Sequence, residues 1–364
     1  MQAKTQTPNS QAVLVDATIY MTLIFLGVVL FLHHVNYTID YLWEVTHRVF
    51  NPYTTGFDKL LQKFAVGGFL FLSGYKLSLS KVSEPAKLFL INRLKRIYPL
   101  YFLAVCVFSV TVYPNLLGTR PLFSNFLVHA LCLQSVVPSL FQENFHSIWF
   151  VSNLFCCYLL FLGLRPSLGK PSAMAVRLGL SLFAIYLIRQ IASLYGIDIF
   201  TGYFDAYLLF FAAGMVCSQT KKKLSRIDKK LLIGAAVLSL IALMTFKFTQ
   251  PETLLFGNVI GGYVLDRSLV LGSALPLHVA LLTSFKRFTV APNIAKLMKS
   301  LAAASYCAFL FHRPIWTLLS QLWSGSSYVH SLFILGFGIP LIFVVSYQMQ
   351  LFYNRNILPV LSKK

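Results

Sequence analysis

An all-α, polytopic membrane helical bundle is the fold class predicted for this chain of 364 residues, and three observations predict it. Hydrophobic residues make up 57% of the chain and charged residues 12%, about half the charged share of a soluble domain. Apolar runs of about 17 to 25 residues, long enough to cross a hydrocarbon layer as a helix, recur from one end to the other. Lys and Arg gather on alternate connections between those runs, the pattern that orients membrane spans.

Ten runs qualify as spans: 13–32, 64–80, 97–117, 147–164, 177–195, 203–219, 231–249, 265–285, 301–323 and 330–352. An eleventh, 125–141, is short and carries His129, Gln134 and Pro138. If it does not cross, the basic connections 81–96, 165–177, 221–230 and 286–299 and the C-terminal tail share one side with Lys4. If it crosses, the run Lys221 to Lys230 lands outside, against the positive-inside rule. About ten transmembrane helices with both termini cytoplasmic are therefore expected, with 125–141 external or partly inserted. The first run is span-length and lacks a basic leader and a small-residue cleavage site, so it reads as the first span. One domain, 13–352, is expected between cytoplasmic tails 1–12 and 353–364.

The net charge of +20 is explained by orientation and by contact with anionic membrane lipids, and nucleic acid is not expected as a partner. The six cysteines show no CxxC or Cys/His metal spacing, and nearly all fall inside apolar runs, where Cys acts as a small hydrophobe. Neither a disulfide framework nor a metal is expected.

Polar groups inside spans are costly and point to function. Asn92-Arg93-Leu94-Lys95-Arg96-Ile97-Tyr98-Pro99-Leu100-Tyr101 sets three cations against the start of an apolar run. Arg93 and Arg96, three apart, share one helix face, where their planar guanidinium forks suit a phosphate; a plain topology anchor is the simpler reading. His33 and His34 end the first span, where histidine serves as a wet cap or as a general base near neutral pH. Ser305-Tyr306 and His312-Arg313-Pro314 place polar groups deep in the ninth span, where Pro314 loosens the helix. They form either a cavity lining or a structural Tyr306/His312/Arg313 network. Lys76 reads as a snorkelling cation.

These stretches, in order, resemble the acyltransferase 3 family of integral membrane acyltransferases. The pieces are a first span ending in His, Phe71-Leu72-Ser73-Gly74-Tyr75, the Asn92–Tyr101 segment, His146-Ser147-Ile148-Trp149-Phe150, and Ser305-Tyr306 with His312 and Pro314. The resemblance implies an O-acyltransferase moving an acetyl or other short acyl group from acyl-CoA to a hydroxyl of a cell-surface polysaccharide or its lipid-linked precursor. It implies acetyl-CoA as the donor, a glycan or lipid-linked glycan as the acceptor, polysaccharide assembly proteins as partners, and a bacterial inner membrane as the location. It assigns donor handling to Arg93 and Arg96, with Lys95 beside them, and catalysis to His33 or His34; His312 and Tyr306 would line the reaction pocket. Two positions depart from the family pattern. Members usually carry Arg about eleven residues before the catalytic His, where this chain has Thr22 or Leu23. Many carry an acid shortly after the Trp, where this chain has Ser152-Asn153-Leu154.

The residue types suit that chemistry. A base must take the acceptor proton, donors must stabilise a tetrahedral oxyanion, and cations must hold the donor's phosphates. No G-x-S-x-G element occurs, so direct transfer is expected rather than an acyl-enzyme. A transporter of lipid-linked sugars and a non-catalytic partner of a polysaccharide assembly complex are the rival classes.

Overall fold

The computed structural model describes residues 12–38, 54–80, 84–138, 147–200, 204–220, 226–249, 259–323 and 327–362. These are almost entirely helical. In chain order they form β1 (Val13–Leu14), α1 (Ala17–His34), α2 (Thr54–Leu79), α3 (Ala86–Val110), α4 (Val112–Leu117), α5 (Phe123–Ala130), α6 (Phe150–Leu164), α7 (Pro171–Leu194) and α8 (Phe204–Gln219). Then come α9 (Lys229–Thr249), α10 (Val259–Ser284), β2 (Thr289–Val290), α11 (Pro292–Gln321), α12 (Tyr328–Gly336) and α13 (Gly338–Phe352). A π-helical turn (Tyr353–Ile357) and α14 (Leu358–Ser362) end the described chain.

All ten expected spans fall on helices. Among the described residues seven helical stretches are long and apolar enough to cross a membrane, and the remaining expected spans lie on α2, α8 and α9. The 125–141 segment forms no span-length helix in its described part. Instead α5 packs on α3: the Tyr98 hydroxyl donates to Ala130 O (2.8 Å) and the Tyr101 hydroxyl to His129 O (2.5 Å). Tyr101 lies nine residues before the end of α3, so α5 dips back about 14 Å along the bundle. The chain turns at Cys132, which takes a left-handed φ of 60° and whose carbonyl accepts from the Ser152 hydroxyl (2.7 Å).

Small residues set the core. The α2–α8 pair is the most extensive helix contact, because Gly74 and Gly214 let the two backbones touch. A Cβ on Gly74 would sit 2.0 Å from Phe211 O, and one on Gly214 would sit 1.9 Å from Phe71 O. Close approach at small residues is how helices associate where lipid offers no hydrophobic drive. The Phe71–Tyr75 motif is thus a packing device. By contrast α7 buries only Met174 and presents Leu180, Phe183, Leu187, Ile188 and Ile191 outward, as a helix at the lipid boundary should.

Where α1 and α11 begin, β1 pairs antiparallel with β2, and Asp16 caps α1 by accepting from Thr18 N (2.7 Å). The two helices therefore enter the bundle together and run in the same direction. This is the face that carries the basic connections. There Arg177 donates to Gly163 O (3.1 Å) near the end of α6, and Arg165 to Glu84 O (2.8 Å), so some orienting cations also satisfy backbone carbonyls. Lys76 is exposed at the same end of α2, as a snorkelling cation is.

Prolines interrupt α3, α10 and α11 without ending them. Each removes the N–H that would serve the carbonyl four residues earlier. For Pro99 that carbonyl is Lys95 O, and the Tyr353 hydroxyl donates to it. The tail expected at 353–364 accordingly continues as helix through Ser362, with Tyr353 buried against α3.

Candidate active site

His33 and His312 meet where α1 ends. Nδ1 of His33 lies 2.7 Å from Nε2 of His312, and the ring planes differ by 4° with centroids 4.9 Å apart. That centroid distance is close to the N···N distance plus two ring radii. The rings therefore lie edge to edge in one plane, the geometry of a linear hydrogen bond rather than of a stack.

The surrounding carbonyls assign the protons. His312 is fully buried, and its Nδ1 faces Ala308 O (3.1 Å) and Phe309 O (2.8 Å). Only a protonated nitrogen fits between two acceptors. In a neutral ring Nε2 of His312 then carries the lone pair and accepts from Nδ1–H of His33. By the same rule Nε2 of His33 becomes its proton-accepting nitrogen. His34 is turned elsewhere: its Nδ1 bonds Phe31 O in the preceding turn of its own helix.

Further polar groups extend from the pair. The Tyr37 hydroxyl lies 3.0 Å from the Thr317 hydroxyl and accepts from Nε of Arg313 (3.4 Å). Tyr37, Arg313 and Thr317 are all buried. Trp316 joins the two groups, its ring 5.7 Å from both His312 and Tyr37. Its indole N–H donates to Ile334 O (3.1 Å), which fixes the ring. Histidine, arginine, tyrosine and threonine thus share one polar cluster where α1 meets α11. The sequence flagged His33, His312 and Arg313, whereas Tyr37, Trp316 and Thr317 carried no signal of their own.

The expected Tyr306/His312/Arg313 network does not form as a unit. Tyr306 donates instead to Ile97 O on α3 (3.0 Å), His312 pairs with His33, and Arg313 pairs with Tyr37. The Tyr306 bond fixes the relative level of α3 and α11. His312 lies six residues beyond Tyr306 and Arg93 four before Ile97, so Arg93 sits about 15 Å from the histidine pair along the helix axes. That is about half of a typical hydrocarbon core.

Arg93, Lys95 and Arg96 occupy the third turn of α3. The Arg93 guanidinium lies over the rings of Phe89 (5.2 Å) and Tyr158 (6.0 Å), and its buried Nε meets no acceptor among the described residues. Arg96 is exposed. His146 lies outside the described residues, but the rest of its motif is placed. Gln134 donates to Ile148 O (3.4 Å), and Trp149 packs on Tyr207 at 5.0 Å.

The two departures resolve differently. Thr22 hydrogen-bonds Thr18 O (2.7 Å) within α1, a satisfied helix residue. Asn153 is fully buried, and neither atom of its amide finds a partner among the described residues; Gln134 Oε1 and Ser147 Oγ share that condition. Sequence reasoning also missed an ion cluster away from the pair. Arg267 of α10 bridges Asp205 of α8 (3.4 Å) and its neighbour Asp266. Among the described residues no group of three or more His, Cys, Asp or Glu is placed to hold a metal.

No curated protein and no solved structure matches the chain. A family model does: the acyltransferase domain of the acyltransferase 3 type matches residues 20–349, which takes in α1 with its histidines, the Arg93–Arg96 segment and α11 with His312. The chain is a membrane protein of the acyltransferase 3 family, and an acyltransferase.

Proposed function

We propose that the protein transfers an acetyl or other short acyl group from acyl-CoA to a hydroxyl of a cell-surface glycan or its lipid-linked precursor, with His33 as the base. The observation that carries this reading is the part-buried His33–His312 hydrogen bond in an acyltransferase 3 chain, about 15 Å from the Arg93–Arg96 segment along the helix axes.

In this mechanism Nε2 of His33 takes the proton of the acceptor hydroxyl as its oxygen attacks the thioester carbon. The tetrahedral oxyanion is held by donors from Arg313 and Tyr37. Its collapse breaks the C–S bond, and the proton on His33 passes to the departing thiolate, which leaves as CoA thiol. An ester remains on the acceptor. His312 touches neither reactant; it is a positioning residue that holds His33 in the reactive tautomer. Arg93 and Arg96, with Lys95, hold the donor's phosphates at the basic face, and the acyl-bearing arm spans the distance inward. That face is cytoplasmic in this reading, so the acyl group crosses while CoA stays inside, in a membrane of the bacterial inner type.

The test uses purified protein in lipid nanodiscs with radiolabelled acetyl-CoA. Time-dependent release of free CoA, abolished by His33→Ala and retained by His34→Ala, is expected. A well-folded sample that neither binds nor consumes acetyl-CoA or longer acyl-CoA thioesters would sink the proposal and return the transporter reading.

A further inference from the structure

A second cationic feature lies outside the acyl-transfer machinery. At the basic face a cleft of about 440 Å³ opens between β1, α11 and α13, lined by Val13, Lys296, Lys299, Ser300, Tyr347 and Leu351 among others. Lys296, Lys299 and Ser300 fall at i, i+3 and i+4 and share one side of the first turns of α11. That helix begins at Pro292, so the positive end of a 30-residue dipole adds to the two ammonium charges. Among the described residues no carboxylate lines the cleft and neither lysine joins an ion pair. Tyr347 lines the cleft from α13, across from the two lysines of α11.

Two cations, a serine and a tyrosine around an open volume, with no acid to balance them, suit a phosphate group. The cleft is also tied to the arginine segment. One turn beyond Tyr347 lies Leu351, and two residues further the π-turn begins at Tyr353, whose hydroxyl bonds Lys95 O. Single π-turns inside helices recur at functional sites. Here the turn seats the wall of one cationic site on the backbone of the other.

We propose that this cleft binds a phosphate group, supplied either by the headgroup of an anionic membrane lipid or by the nucleotide end of the acyl donor. The second source rests on the acyl-transfer reading and the first does not. A lipid headgroup here would anchor α11, the helix that carries His312. A donor nucleotide would bridge Lys296 and Lys299 to Arg93 and Arg96.

The intact protein in phosphatidylcholine nanodiscs is titrated with two probes, dioctanoyl phosphatidylglycerol and adenosine 3′,5′-bisphosphate, with binding read by native mass spectrometry. Lys296→Gln/Lys299→Gln removes the charges. Ala303→Phe fills the cleft from an exposed lining position while keeping both lysines. Lys229→Gln/Lys230→Gln on another basic connection is the control. Both cleft variants are expected to weaken one probe at least about tenfold, the factor of a single charge-assisted hydrogen bond, while the control does not. Loss of phosphatidylglycerol binding assigns the lipid source, and this holds even for a protein inactive in acyl transfer. Loss of bisphosphate binding assigns the donor source. Undiminished binding of both probes, or loss with the lysine variant but not with Ala303→Phe, overturns the proposal.

Discussion

His312→Leu removes the acceptor for Nδ1–H of His33 while keeping an apolar side chain of similar bulk. In the wild-type protein the two nitrogens of that bond lie 2.7 Å apart, and the anchoring carbonyls of Ala308 and Phe309 fix the direction of the acceptor. A buried donor left without a partner costs about 1–3 kcal/mol. His33 relieves that cost by rotating or by moving its proton to Nε2, and either change withdraws the nitrogen that acts as base. Converted at about 1.4 kcal/mol per factor of ten, the expected fall in kcat is about 5- to 150-fold. Removing the base itself with His33→Ala should cost more, about 10²- to 10⁴-fold. The KM for the acyl donor should change little in either variant, because the cations proposed to hold it lie about 15 Å away along the helices. His312→Gln supplies the informative contrast, since its amide oxygen accepts a hydrogen bond and should restore much of the lost rate. The assay is CoA thiol release at saturating acyl-CoA, on samples matched for monodispersity and thermal stability. A wild-type rate in His312→Leu refutes the tautomer argument. So does His312→Gln as impaired as His312→Leu at equal stability.

Other perturbations separate catalysis from architecture. Gly214→Ala should destabilise without touching the chemistry: restoring ordinary contact at about 3.4 Å from a Cβ 1.9 Å from Phe71 O moves the helices by about 1.5 Å. Overpacking of this kind costs about 1–3 kcal/mol, read as a lower melting temperature in detergent; an unchanged temperature contradicts the close α2–α8 contact. His34→Ala should leave turnover within about threefold of wild type in the same thiol-release assay, because His33 and not His34 pairs with His312. Arg313→Gln should lower kcat by about 10²-fold with donor KM unchanged, the mark of a group that acts on the oxyanion, and a KM effect alone would move Arg313 into donor binding. Arg93→Gln/Arg96→Gln should do the reverse, raising donor KM about tenfold or more, and calorimetric titration with CoA checks it.

Much of the architecture was legible in the sequence because membrane helices are specified by length and hydropathy. Each expected span falls on a helix, and the basic connections identified the face on which Tyr353 meets Lys95 O. The segment 125–141 was legible only as an anomaly. The positive-inside rule argued against its crossing, but the hydroxyls of Tyr98 and Tyr101 on another helix decide how it packs. The candidate site was half legible. Histidine and arginine inside apolar runs are conspicuous because they are expensive there, whereas Tyr37, Thr317 and Trp316 are ordinary residues until α1 and α11 bring them together.

The sequence by itself determined the membrane bundle, the family and the short roster of buried ionisable groups, because each follows from local composition and order along one chain. The tertiary structure decided that His33 rather than His34 faces His312, and which nitrogen carries each proton. It also decided that the Arg93 segment lies about 15 Å from the pair along the helix axes. These are relations between residues up to 279 positions apart, and no local pattern encodes the angle at which two helices present their side chains to each other.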